Sequence, residues 1–223
     1  MRIGLFGGTF NPIHRGHLHI ANELSAAFPL DKVYLIPCAN PPHKESHGLA
    51  AAADRLEMIR LASADCRQMQ VSDVELHRNG PSYSIDTINE FYSSHAEGQE
   101  FFMLVGSDAF LELDTWRHYQ AILESIALIV LPRPIAKGEG GVNHDHAVLT
   151  DFIHQKLSPR YDFDEGRSIY FHPQLMPIYH PVKLRPLQIS STQVRRRIKQ
   201  GTSIDELVPK IVANYIHAKG LYQ

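Results

Sequence analysis

The chain has 223 residues, 43% of them hydrophobic, and a formal net charge of −2 at neutral pH. That length spans one to two average domains, and folding removes roughly 70% of such a chain's surface from water. The charge balance excludes a broad nucleic-acid or anionic-membrane footprint, and two cysteines supply no disulfide framework. The apolar start Ile3–Phe6 is too short for a signal peptide, and the longest apolar run, Ile126–Leu131, is too short to cross a bilayer. The expectation is a cytoplasmic protein with no nucleic-acid or membrane partner.

Apolar runs alternate with amphipathic stretches, the pattern of βαβ units in an α/β protein with a parallel sheet. A strand over Arg2–Phe6 enters the turn Gly7-Gly8-Thr9-Phe10-Asn11-Pro12-Ile13-His14-Arg15-Gly16-His17. A helix follows over Gly16–Phe28, with Leu18, Ala21, Leu24 and Phe28 on its predicted inner face. Strand, glycine turn and helix start together offer backbone N–H groups to an anion, and Gly7 and Gly8 let it come close. The spacing fits neither G-x-x-x-x-G-K-[ST] nor G-x-G-x-x-G. Imidazoles stand where a P-loop would place lysine, and His14 and His17, three residues apart, can both donate to one anion. The alternatives are one core and one solvated histidine, or a zinc site that lacks an evident third ligand.

A strand over Lys32–Ile36 ends in the stiff loop Pro37–Lys44, which presents His43 and Lys44. A helix over Ala51–Ala64 turns Leu56, Ile59 and Ala62 inward, and a strand covers Gln70–Glu75. Pro81-Ser82-Tyr83-Ser84 opens a helix over Ile85–Ser94. The strand Glu100–Val105 ends in Gly106-Ser107-Asp108, which puts a carboxylate on the ligand side of such a sheet or at a helix N-cap. Leu113–Ile126 carries Trp116 and a further helix, and Ala127–Leu131 is the fifth strand. Gly138, Gly140 and Gly141 mark a flexible excursion, and His144-Asp145-His146 reads as a solvated loop rather than a metal site. Beyond it come a helix over Ala147–Leu157 and strands over Ser168–His172 and Lys183–Ile189. One of Ser190, Ser191 and Thr192 caps a helix over Gln193–Gln200. A final helix over Ser203–Tyr222 buries Leu207, Ile211, Tyr215 and Ile216. The whole reads as one domain, 1–223, with an irregular part at about 135–185 and a C-terminal helical part at about 190–223.

The turn with both histidines resembles the signature of the HxGH nucleotidyltransferases, and within them the bacterial nicotinate-nucleotide adenylyltransferase family. Four further segments fit in order: Pro41-Pro42-His43-Lys44, Ser82-Tyr83-Ser84-Ile85-Asp86-Thr87, Gly106-Ser107-Asp108 with Trp116, and Ile189-Ser190-Ser191-Thr192-Gln193-Val194-Arg195. The resemblance covers about 1–133 and 187–223, and the chain departs from the pattern between them.

It implies a Rossmann-like, doubly wound parallel sheet with flanking helices, of nucleotidyltransferase type. The implied reaction moves AMP from ATP, taken with Mg²⁺, to nicotinate mononucleotide. His14 and His17 are then assigned to the ATP phosphates and Lys44 to the attacking or transferring phosphate. Gly7, Gly8, Thr9 and Phe10 line the ATP loop, Asp108 binds the ribose or lies near the metal, and Ser191, Thr192 and Arg195 hold the outgoing phosphates. On the pyridine side stand Trp116, stacked on the ring, and the backbone of Ser84 and Ile85. Arg133 reaches a phosphate. Arg196 and Arg197 are solvated, and no protein metal ligands are expected. The competing readings are an enzyme for nicotinamide mononucleotide or for both pyridines, and an inactive nucleotide-binding regulator. A homo-oligomer is compatible with either.

Overall fold

Continuous apolar runs become strands because both faces of a parallel sheet are covered. In the computed structural model, which describes residues 1–40, 48–132, 142–181 and 183–223 (backbone alone at 142–145), eight strands form one sheet. They are β1 (Arg2–Gly8), β2 (Lys32–Pro37), β3 (Met69–Val71), β4 (Glu100–Gly106), β5 (Ala127–Leu131), β6 (Asp162–Asp164), β7 (Ile169–Phe171) and β8 (Ile178–Tyr179), in the order β3-β2-β1-β4-β5-β8-β7-β6. The pairs β2–β3, β1–β4, β4–β5 and β5–β8 are parallel, whereas β7 runs antiparallel to both β8 and β6. Every residue of β5 is buried, as is the centre of β4. Helices flank the sheet: α1 (Arg15–Ala27), α2 (Ala52–Ser63), α3 (Ser84–Ser94), α4 (Ser107–Phe110), α5 (Tyr119–Ser125), α6 (Val142–Phe152), α7 (Ser191–Lys199) and α8 (Lys210–Lys219).

Two compact units make up the chain. The first comprises Met1–Phe6 and Tyr83–Pro186, the second Gly7–Ser82 and Leu187–Gln223. In the first, Phe102, Leu104, Leu128 and Ile129 are buried along β4 and β5. In the second, Ile20, Ala21 and Leu24 of α1 and Leu56, Met58 and Ile59 of α2 are buried, with Val33, Leu35 and Ile36 of β2.

Several expected elements shift. Lys183–Ile189 contains no strand among its described residues; the Leu184 N–H bonds Pro181 O at 3.2 Å and the Ile189 N–H bonds Leu187 O at 2.8 Å. Pro186 has no N–H to give a ladder, so local turns prevail. The strand next to β5 is instead β8, only two residues long. His144-Asp145-His146 lies in α6 rather than a loop, and a π-helical turn, Ile153–Leu157, continues that helix. The last helix begins after Pro209, a fixed-φ start, so its buried stripe is Val212, Ala213 and Ile216, and Ile211 is exposed. The Gly138–Gly141 excursion lies outside the described residues.

Candidate active site

The loop after β1 is held from behind. Phe10 adopts φ +46, a left-handed conformation costly for a side chain of its size, and its ring packs where a Cβ on Gly8 would sit, 3.1 Å away. Gly8 is therefore required by Phe10, whereas a Cβ on Gly7 would meet no atom of the described residues within 4 Å. Asn11, buried, donates from Nδ2 to Gly48 O at 2.9 Å and accepts the Ala50 N–H on Oδ1 at 3.0 Å.

His14 occupies the N-cap of α1 with extended backbone, and its ring stacks on His17 with centroids 3.6 Å apart and planes 20° off parallel. The Phe10 ring meets His17 edge-on at 5.0 Å. The His14 N–H donates to His17 Nδ1 at 3.2 Å. A nitrogen that accepts carries no proton, so this bond holds His17 as the neutral tautomer with hydrogen on Nε2. Burial lowers the His14 imidazole to about 4, and its Nδ1 lies buried without a hydrogen-bond partner. Nε2 is thus the His14 nitrogen that a ligand can meet. A Cβ on Gly16 would fall 3.0 Å from His14 Nδ1, so the missing side chain makes room for the imidazole.

The helix start differs from the expectation of bare N–H groups. The His14 N–H is taken by His17, the Arg15 N–H bonds Leu207 O at 2.8 Å, and the His17 N–H bonds His14 O at 3.0 Å. The N–H groups of His14, Arg15 and His17 are therefore already engaged within the chain.

Ser190 is the cap of α7, accepting the Gln193 N–H at 3.1 Å. The next residues brace the histidine loop. Ser191 Oγ donates to Pro12 O at 2.9 Å, Arg195 Nη1 donates to Asn11 O at 2.8 Å, and Arg195 Nη2 reaches Thr192 Oγ1 at 3.2 Å. Gly7, Gly8, Thr9, Phe10, His14, His17, Ser191, Thr192 and Arg195 are thus assembled in the second unit around one loop.

The first unit carries Ser84, Ile85, Asp108 and Trp116. Ser84 is the first residue of α3 and Ile85, next to it, is buried. Tyr83, the N-cap, lies under the Arg117 guanidinium at 4.7 Å from its ring centroid. Trp116 is half-buried at the junction of a 3-10 turn, Leu113–Thr115, and α5, rather than inside a helix. Asp108 is exposed in the first turn of α4 at the C-terminal end of β4; Gly106, not Asp108, is the N-cap. Lys44 and Arg133 lie outside the described residues. Among the described residues no group of three or more His, Cys, Asp or Glu side chains could hold a metal ion, and no helix is long and apolar enough to cross a membrane.

Sequence reasoning missed Arg55, fully buried on α2 and bonded to the same loop. The signal was its place on the helix's apolar stripe, one turn from Met58 and Ile59.

The chain matches the Cytidylyltransferase-like family over residues 5–197. It is 41% identical over 222 residues to a probable nicotinate-nucleotide adenylyltransferase of Geobacter metallireducens, covering 100% of this chain and 98% of that one. A probable nicotinate-nucleotide adenylyltransferase of Desulfatibacillum aliphaticivorans is 38% identical over 228 residues, with 100% of both chains covered. Among solved structures, the Plasmodium falciparum nicotinic acid mononucleotide adenylyltransferase complexed with NaAD superposes with a TM-score of 0.71, covering 99% of this chain and 97% of that one. At 17% identity that likeness speaks for the fold.

Proposed function

This chain belongs to the Cytidylyltransferase-like family, and from that premise we propose that it transfers AMP from ATP to nicotinate mononucleotide, releasing pyrophosphate. The observation that carries the reading is the stacked His14–His17 pair on a braced glycine loop, in a chain related over its whole length to proteins named for that reaction.

The chemistry asks little of a base. The acceptor's phosphate is already an anion, so one of its oxygens attacks the α-phosphorus in line while the bond to the β-phosphate oxygen breaks. No proton has to be removed and no covalent enzyme intermediate forms. The protein's part is positioning and stabilising charge as it spreads over the phosphates. The His17 Nε2–H is a directed donor for a phosphate oxygen, and His14 supplies a second imidazole beside it. Burial keeps His14 uncharged at neutral pH and the bond accepted at His17 Nδ1 needs an unprotonated nitrogen there, so the pair acts by hydrogen bonding. Mg²⁺ comes with ATP as part of the substrate, held mainly by phosphate oxygens and water.

The residue assignments follow the resemblance. Ser191, Thr192 and Arg195 serve the pyrophosphate, Lys44 the transferring phosphate and Asp108 the ATP ribose. Trp116 stacks on the pyridine ring, the Ser84–Ile85 backbone meets its carboxylate, and Arg133 meets a phosphate.

Pyrophosphate release from ATP and Mg²⁺, measured with each pyridine mononucleotide under identical conditions, tests the reading. The acid should be used at least about tenfold better than the amide, a difference of about 1.4 kcal/mol. Comparable turnover of both would replace acid specificity with dual specificity. No pyrophosphate with either would make the protein a nucleotide-binding module.

A further inference from the structure

Arg55 lies on α2, is 1% exposed, and ends on three backbone carbonyls from three separate segments. Nη1 donates to Thr9 O at 2.8 Å, Nη2 to Ala39 O at 3.2 Å and Nε to Ala50 O at 3.1 Å. Thr9 belongs to the histidine loop, Ala39 follows β2, and Ala50 immediately precedes the N-cap of α2. In sequence, Ala39 and Ala50 flank the segment that carries Lys44. Burying a guanidinium is costly, and Leu or Met would fill the same stripe without that cost. A planar fork with five fixed donors is, however, the side chain that can bind carbonyls diverging from one point.

We propose that Arg55 is a positioning residue for the triphosphate loop: it fixes the Thr9–Phe10 peptide and ties the histidine loop to both flanks of the Lys44 segment. This rests on the adenylyl-transfer reading. A trans peptide points its C=O and N–H in opposite directions. Holding the Thr9 carbonyl at the guanidinium therefore fixes the plane of the peptide that leads into Phe10, whose backbone is left-handed at φ +46. Phe10 in turn packs against His17. Further along the loop, Arg195 and Ser191 hold Asn11 O and Pro12 O. Arg55 links this loop to α2 and to the chain after β2 through one group.

Arg55→Lys gives the test, because one ammonium keeps the charge and about the same length but cannot span three diverging carbonyls. Wild-type turnover of ATP with nicotinate mononucleotide comes first, since its absence would sink the functional reading and not this one. Given turnover, Arg55→Lys should lower kcat per folded molecule by 10- to 100-fold while the ATP KM changes less than threefold. A kcat within twofold of wild type overturns the proposal. So does a loss accounted for entirely by a smaller folded fraction. The wild-type protein supplies a measurement independent of the variant's folding. The Arg55 Nε–H resonance should be protected from exchange and should shift on adding inorganic pyrophosphate with Mg²⁺; a resonance unmoved at saturating pyrophosphate overturns the proposal.

Discussion

Gly16→Ala separates the stability of α1 from the geometry of its histidines. Gly16 is the second residue of the helix, where alanine ordinarily stabilises by about 0.5–1 kcal/mol. Here the added Cβ would fall 3.0 Å from His14 Nδ1 and 3.1 Å from Cε1, with Ile189 O at 3.5 Å on another side. Ordinary contact begins near 3.4 Å, so the imidazole must retreat by about 0.4 Å (3.4 − 3.0). His17 stacks on that ring at 3.6 Å, so displacing it disturbs both imidazoles. An off-rotamer or displaced ring costs about 1–2 kcal/mol, which offsets the gain in helix propensity and slightly exceeds it. Misplaced donors in the transition state, by contrast, cost about 10- to 100-fold in rate. The expected result is a melting temperature within a few degrees of wild type and a kcat lower by about one to two orders of magnitude. Pyrophosphate release and a thermal melt on the same preparation measure both. A variant of unchanged kcat would mean that the His14 ring does not have to stay where it is for catalysis.

Gly7→Ala should behave differently, because its Cβ meets no atom of the described residues within 4 Å: the melting temperature holds, while the ATP KM rises if phosphate occupies that space. Unchanged KM and kcat would remove Gly7 from the phosphate loop. His17→Ala should lose far more kcat than ATP affinity, the mark of a contact that strengthens in the transition state; equal losses in both would make it a uniform binding contact. Stability should fall between about pH 6.5 and pH 4. Burial lowers both His14 and His180 from 6.5 to about 4, so in that window the unfolded chain binds protons that the folded one refuses. Their stabilising contribution is complete above the unfolded value and lost as pH falls towards the folded one, about 3 kcal/mol for each ring. Urea midpoints at pH 7 and pH 4.5 should converge in His180→Phe relative to wild type. Identical pH slopes would mean that His180 is protonated in the fold.

The legible parts of the sequence were those whose signal is local. β4 and β5 are continuous apolar runs, and α3 is opened by a turn sequence and shows a clear helical period. β8 is two residues long inside a proline-bounded stretch, and only its pairing with β5 makes it a strand. The Lys183–Ile189 segment alternates plausibly, but pairing is a tertiary fact. In the candidate site, His14, His17 and Arg195 stood out because their types are unusual at that spacing, and the structure gathers them at one loop. Their bonding was not. The acceptor of Arg195 lies 184 positions away, and that of Arg55 is a carbonyl, which no side-chain pattern announces.

The neutral histidine pair has a consequence for how ATP arrives. Protonating His17 at Nδ1 would cost its bond from the His14 backbone, and burial keeps His14 uncharged. On the adenylyl-transfer reading, the pair should exert little pull on a polyanion several ångströms away and act once an oxygen is within hydrogen-bond reach. Such contacts are weakly screened by salt compared with a lysine cradle. On the same reading capture from solution would fall to arginine and lysine side chains, and added salt should slow encounter with ATP more than it slows the transfer itself.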